Sequence, residues 1–397
     1  MVNLRDDLKP KILVVNFGSD LSQQAGLAIE DLQELYRHGY EWRVLGLEGS
    51  EFVRRAREID AGFVKTWEQA PRQVFDFRLR RELKNELDRG FNVLHVIQTD
   101  LLGSILPWVT NNHELPIIVS EGPDVSKKMR HLVQSLFYQR IDALLVPSKS
   151  LRDRVVLMRP VLEKKVKILY PGLDFQVFNP EHFDFKILRR KWNIEDDCYL
   201  VGMIASQEYT KAQGSFIRGA ASFLRNEELA QRTKFVIVGF RANENPDLVT
   251  MIKQFHLEEK IILAPEEEFV PLVLGTLDVF VLPSTKAMFG LQAIEAMAIG
   301  TPLICANGPD SIEWIGNSHS GYLMRSGDSF DLQRKLLQIL ENPEQLRSMG
   351  KKAVEYARSH YDRNVRTNRL IEIYTRSLKR RKKWAEVGDE DGAHATS

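Results

Sequence analysis

Residues 282–304, LPSTKAMFGLQAIEAMAIGTPLI, have the spacing best suited to holding an anion. The apolar run Leu277-Asp278-Val279-Phe280-Val281-Leu282 reads as a buried strand that stops at Pro283-Ser284, and residues 291–299 have the composition and period of a helix opened by Gly290. The first amides of such a helix have no internal partner, and its macrodipole favours negative charge, so a phosphate fits above Phe289, Gly290 and Leu291. Gly290 would let the backbone come close to it. Glu295, about one and a half turns into the helix, could accept hydrogen bonds from a ribose hydroxyl pair. On these residues alone, Gly290 could equally be an ordinary turn and Glu295 a solvated helix residue.

The stretch FGLQAIEAMAIGTPLI resembles the signature of the retaining nucleotide-sugar glycosyltransferases of the GT4 family. The resemblance implies the GT-B architecture, two Rossmann-like doubly wound parallel-sheet α/β domains facing a central cleft. The family pattern carries two glutamates eight positions apart. Glu295 matches the second, whereas Ala287 stands where the first belongs.

Composition bounds the answer. At 397 residues the chain exceeds what one core usually supports, so two domains are expected. A net charge of +1 argues against a dedicated nucleic-acid binder. Cys198 and Cys305 lie far apart among apolar neighbours, with neither disulfide nor metal spacing. Neither an apolar leader core nor a run of about 18 apolar residues is found, so a cytoplasmic protein is expected, at most peripheral on the inner face of a membrane.

Before the signature, short apolar runs at 11–17, 42–47, 92–97, 116–122 and 143–148 alternate with helical patterns, as a parallel sheet covered on both faces requires. In the first βα loop, Ser22 and Gln23 are candidates for sugar or acceptor contacts, with Ser22 as a plain helix N-cap the alternative. Residues 51–89 read as charged and mostly helical. Glu121 ends a strand where the resembled family often has a histidine near the transferred sugar; it could be a base, a hydroxyl acceptor or a capping carboxylate. His95 reads as a hydrogen-bonded core histidine. Residues 126–137 alternate basic and apolar types at helical spacing, which suits either an anionic lipid surface or a surface helix packed inward.

Pro171-Gly172 is a turn and marks the domain boundary. Beyond it, residues 199–204 form a strand leading to Lys211, which sits where the family places a lysine on the donor diphosphate. Ser206 occupies the place of the family's arginine, and Ala264, ending the strand at 260–264, lies where the family contacts the base through backbone groups. Glu266-Glu267-Glu268 reads as a solvated acidic turn rather than a metal site. The run Lys379-Arg380-Arg381-Lys382-Lys383 could touch phospholipid heads or complement a helix C-terminus.

The expected organisation is an acceptor domain over 1–172, a nucleotide-sugar domain over 173–360, a helix over 361–385 returning to the first domain, and a disordered tail over 386–397. The resemblance implies metal-free transfer of a sugar from a nucleotide-diphosphate sugar to a glycan, lipid-linked or protein acceptor, without a bound cofactor. Lys211, Glu295 and Glu121 would be the catalytic set, Ser206, Ala264, Ala287, Phe289, Gly290 and Leu291 further donor contacts, and Ser22 and Gln23 acceptor contacts. The alternative, favoured by Ala287 and Ser206, is a catalytically silent relative that binds a ligand or a partner glycosyltransferase as a regulatory or scaffolding subunit.

Overall fold

The computed structural model describes residues 9–71, 76–110, 112–123, 125, 132–205, 210–225, 227–240, 245–267, 269–284 and 290–394. The chain forms two compact units, one of residues 1–172 with 364–397 and the other of residues 173–363.

The first unit contains β1 (Ile12–Asn16), α1 (Gln23–Arg37), β2 (Trp42–Leu47), α2 (Glu51–Asp60), β3 (Val64–Trp67), α3 (Phe77–Asp88), β4 (Val93–Val96), α4 (Leu102–Val109), β5 (Ile117–Ser120), α5 (Leu132–Arg140), β6 (Ala143–Val146), α6 (Lys149–Met158) and β7 (Val166–Ile168). The second contains α7 (Lys186–Lys191), β8 (Tyr199–Ile204), α8 (Thr210–Phe223), α9 (Glu227–Gln231), β9 (Thr233–Val238), α10 (Pro246–Gln254), β10 (Ile261–Ala264), α11 (Val270–Thr276), β11 (Val279–Leu282), α12 (Leu291–Ile299), β12 (Leu303–Ala306), α13 (Pro309–Ser318), β13 (Gly321–Met324), α14 (Ser329–Leu340) and α15 (Pro343–Tyr361). The last helix, α16 (Arg363–His394), belongs from Asn364 onward to the first unit.

Both sheets are parallel and doubly wound. Their orders are β3-β2-β1-β4-β5-β6-β7 and β10-β9-β8-β11-β12-β13. The central strands are buried on both faces, which is why they read as unbroken apolar runs: Ile12, Leu13 and Val15 have no exposed surface, nor do Val279, Phe280 and Val281. In the first unit Ile12, Val14, Ile29, Leu32 and Trp42 share a core with Leu370, Ile373 and Tyr374 of α16. In the second, Val201, Phe216, Phe235 and Val281 form the centre.

Two expectations are corrected and one is refined. The segment 51–89 is mostly helical, as expected, but also holds an edge strand, Val64–Trp67, in register with Val44 to Leu47 of β2. Its alternation is brief and all four residues are half-buried, so only pairing with β2 reveals it. The last helix does not end at 385 but runs to His394, as a helix already nucleated can do at one hydrogen bond per added residue. Finally, Arg380 and Arg381 do not complement the C-terminus of their own helix, which runs on past them. Both donate to Oδ1 of buried Asp142, at 2.7 and 2.8 Å. Of the basic amphipathic segment 126–137, residues 126–131 lie outside the described residues, and α5 begins at Leu132.

Candidate functional site

In the second unit the strand order reverses between β8 and β11, and open α/β sheets hold ligands outside the carboxyl ends of the strands at such a reversal. Both strands feed a helix at that edge. β8 leads to α8, with Lys211 its second residue, and β11 leads to Gly290 and α12. The neighbouring β12 leads through Gly308 to α13. Three helix N-termini, each the positive end of a helix dipole, thus lie along one stretch of sheet edge.

Gly290 caps α12 in the left-handed conformation, φ 56° and ψ 33°. A Cβ on it would lie 1.5 Å from Cη2 of Trp314, a residue of α13 that is 4% exposed. The close approach that requires glycine is therefore to an indole ring. Beside it, a cavity of about 30 Å³ opens between Leu282, Ser284, Cys305, Gly308, Asp310 and Trp314. The Gly308 amide donates to Ser311 Oγ at 2.8 Å, and that hydroxyl donates to the Ala306 carbonyl at 2.6 Å, which fixes the start of α13. Burial pushes the Cys305 thiol up to about 12, so it is an inert part of the cavity wall.

Leu291 opens α12, and Glu295 lies half-buried on its second turn. Lys211 is placed by its backbone in the first turn of α8. Ser206, Ala287 and Phe289 lie outside the described residues. Ala264 sits two strands from β8, and its carbonyl accepts from the Gly239 and Phe240 amides at 3.0 and 3.2 Å. Those bonds fill its lone pairs, so a base-contacting carbonyl there would come from beyond it. In the acidic turn, Glu267 pairs with Lys191 at 2.6 Å.

In the first unit the order reverses between β1 and β4. Asn16 ends β1 with no exposed surface; its Oδ1 accepts from the Gly18 amide at 3.1 Å. A Cβ on Gly18 would lie 2.8 Å from Gln98 Nε2, so the residues following β1 and β4 touch at the reversal. Sequence reading passed over this trio, although an asparagine closing an otherwise apolar strand is a visible signal.

Ser22 is the N-cap of α1, its Oγ accepting from the Ala25 amide at 3.3 Å, so the capping alternative is the one observed. Gln23 is the first residue of that helix. Glu121 is 4% exposed and held on two sides. Arg159 donates to its Oε2 at 3.0 Å and its Oε1 at 3.4 Å, and Thr99 Oγ1 donates to Oε1 at 3.1 Å. Its oxygens are thus engaged by a buried cation and a hydroxyl. Arg159 is lowered by burial, but the Glu121 hydrogen bond and charge outweigh that and leave it raised overall.

His95 is a core residue, as expected. Its Nδ1 lies 2.7 Å from Tyr374 Oη and its Nε2 2.9 Å from Ser120 Oγ. Burial, aided by the Arg366 charge, lowers it to about 3, so the ring is neutral. Sequence reading also missed the buried pair beside it. Arg366 Nε and Nη2 donate to the two oxygens of Asp31, each at 2.7 Å, while Nη1 donates to the Leu169 and Tyr170 carbonyls. No local pattern links residues so far apart in the chain.

Two family matches cover this arrangement: glycosyl transferases group 1 over residues 184–356, and glycosyltransferase family 4 over residues 29–177. The chain belongs to the GT4-type glycosyltransferases. This GT4 chain is 23% identical over 317 residues to an N-acetyl-alpha-D-glucosaminyl L-malate synthase of Bacillus anthracis, covering 76% of the chain and 78% of the relative. It is 27% identical over 247 residues to a D-inositol 3-phosphate glycosyltransferase of Stackebrandtia nassauensis, covering 60% of the chain but only 55% of that relative. Among solved structures, a glycosyltransferase from Rickettsia africae superposes with a TM-score of 0.77 at 16% identity, covering 94% of the GT4 chain and 99% of the other. Anabaena HepE in complex with UDP gives 0.73 at 16% identity, covering 91% and 98%. These likenesses establish the GT-B fold. Among the described residues no helix is long and apolar enough to cross a membrane.

Proposed function

We propose that the protein transfers a sugar from a nucleotide-diphosphate sugar to an acceptor hydroxyl with retention of anomeric configuration. The observation that carries this reading is the reversal between β8 and β11, bracketed by the first turn of α8 with Lys211 and by the Gly290–Leu291 start of α12. The donor diphosphate sits on the amides at 289–291, and Lys211 supplies the fixed positive charge its departing oxygens need. Glu295 accepts from the ribose hydroxyls. As the sugar–phosphate bond breaks, the leaving phosphate oxygen takes the proton of the acceptor hydroxyl, which attacks from the same face. Helix dipoles and the lysine neutralise the leaving group, so this route uses neither divalent metal nor bound cofactor. The acceptor is a glycan, a lipid-linked glycan or a protein, met by residues of the first unit.

Relatives named as synthases and glycosyltransferases support this reading, and the neighbour solved with UDP makes uridine donors the first to test. The experiment is a thermal-shift screen against UDP, GDP and ADP sugars, followed by donor hydrolysis and transfer assays. A bound donor at about 100 times its Kd adds roughly 2.7 kcal/mol to the native state. No shift with any sugar nucleotide would sink the proposal.

A second reading is a silent relative acting as a regulatory or scaffolding subunit, including beside a partner glycosyltransferase. The engagement of Glu121 by Arg159 supports it, because it ties up the carboxylate that stands where the family has its sugar-side group. Donor binding without turnover, with turnover appearing in Ala287→Glu, would select it.

A further inference from the structure

The chain is near neutral overall, yet one face of its first unit gathers cations. Along α16, Arg369, Arg376, Arg380 and Lys383 recur at the spacing of a single helical stripe and are exposed, with Lys379 beside them. The opposite stripe, Leu370, Ile373, Tyr374 and Leu378, is buried. The helix is pinned in this orientation by Asp142, which takes hydrogen bonds from Arg380 and Arg381, while Arg381 also donates to the Arg140 carbonyl at 2.9 Å.

The pin sets the stripe beside the amino ends of β6 and β7. Val166 pairs with Leu144, which brings residues 164 and 165 alongside Asp142, and Lys165 Nζ donates to the Gln139 carbonyl at 2.5 Å. On β7, burial first and then Arg369, Arg380, Arg376 and Arg152 hold the Lys167 ammonium below its ordinary range. Lys165 is lowered by burial and by Arg380, Arg381 and Lys164, despite Asp142. The acids within this group are already paired: Glu372 with Arg369 and Arg376, Glu163 and Asp153 with Arg152. Two large apolar side chains are exposed on the same connection, Leu162, at 56% and directly before Glu163 and Lys164, and Leu157 on α6, at 70%.

We propose that this face docks on an anionic phospholipid surface, its cations on headgroup phosphates and Leu162 in the acyl boundary. Cations interleaved with exposed leucines suit a layer that is anionic outside and apolar just beneath, whereas a nucleic acid offers no partner for the leucines. The surface is formed by α16, β7 and the segments flanking α6, none of which carries a donor-site residue. Docking and sugar transfer are therefore separable.

The test is flotation of the full chain with phosphatidylcholine vesicles, with and without phosphatidylglycerol, at low and physiological salt. Binding is expected only with phosphatidylglycerol, weakening with salt. At about 1 kcal/mol per cation, or roughly fivefold each, Lys164→Glu, Lys379→Glu and Lys383→Glu together should lower it by at least about a hundredfold. Sugar-nucleotide thermal shifts should stay unchanged. If that triple variant does not fold, the milder pair Lys379→Gln and Lys383→Gln should still weaken binding by roughly 25-fold. Leu162→Ser should weaken vesicle binding without altering its salt dependence. Absence of flotation at low salt, or equal flotation of the charge variants, would overturn the proposal. Duplex DNA bound as tightly as the vesicles, with no effect of Leu162→Ser, would also overturn it and assign the face to nucleic acid.

Discussion

The backbone of Gly290 lies against the indole of Trp314 so closely that a methyl group added to the glycine would overlap the ring, at 1.5 Å. The contact joins the start of α12 to the body of α13, and so ties together two of the three helix ends at the carboxyl edge of the second sheet. It also explains why glycine, which alone bears the left-handed conformation there without strain, is the residue that opens α12.

Gly290→Ala should therefore cost on the order of 3 kcal/mol, combining the left-handed penalty with overpacking. The urea midpoint would report it. Trp314→Ala destabilises on its own by leaving a cavity, yet the double variant should fall well short of the sum of the two, because the clash disappears with the ring. Additive costs would mean that the two residues act separately.

Lys211→Met should reduce the transfer rate by about 10² to 10³ while leaving the urea midpoint within about 0.5 kcal/mol, since one fixed cation for the leaving diphosphate is lost from a helix start at the sheet edge. Glu295→Gln should instead weaken nucleotide binding, by roughly tenfold, through loss of a charge-assisted hydrogen bond. Initial rates over a donor series separate the two: the first is expected mainly in kcat, the second mainly in KM. Wild-type rates in Lys211→Met would remove the lysine from the mechanism.

Glu121 and Arg159 make a buried pair whose single loss is expected to be structural. Arg159→Met leaves a buried carboxylate uncompensated and should cost about 3 to 5 kcal/mol, whereas Glu121→Gln with Arg159→Met should recover much of it. Denaturant curves of the three variants check this. A Glu121→Gln protein of normal stability that has lost transfer would return the carboxylate to the chemistry.

His95 makes stability depend on acid. Its ordinary value is 6.5 and its folded value about 3, so between these the unfolded chain binds a proton that the folded chain refuses. Stability from this residue is complete above about 6.5 and declines by about 1.4 kcal/mol per unit as pH falls toward 3. His95→Leu will lower absolute stability by stranding the hydroxyls of Tyr374 and Ser120. The informative quantity is the slope between pH 4 and 6, which should flatten by about one proton relative to wild type. An unchanged slope would place the acid sensitivity in groups other than His95.

Much of the fold could be read along the chain because parallel strands buried on both faces are written as short apolar runs, and helices between them have their own period. β2 and β8 lie over the residues expected, 42–47 and 199–204. Two edge strands escape such reading, although the edge strand β10 lies within the expected 260–264: β3 is half-buried on every residue and β13 sits at the other sheet's margin, where pairing rather than hydrophobicity makes the strand. In the candidate site, the strand–loop–helix arrangement at Gly290 and the placing of Lys211 at a helix start were legible, since both depend on local pattern.

What the chain's own order of residues determined was the family, the two α/β units and the loops in which chemistry could reside, all features set by neighbours within a few turns or strands. Only the tertiary structure decided what each polar group does. It gave Gly290 its indole, closed Glu121 onto Arg159, locked Asp31 to a guanidinium 335 residues away, and turned two members of a basic run onto Asp142. The reason is physical: a buried charge or a missing side chain is made tolerable by partners that folding brings close in space, and separation along the chain carries no record of them.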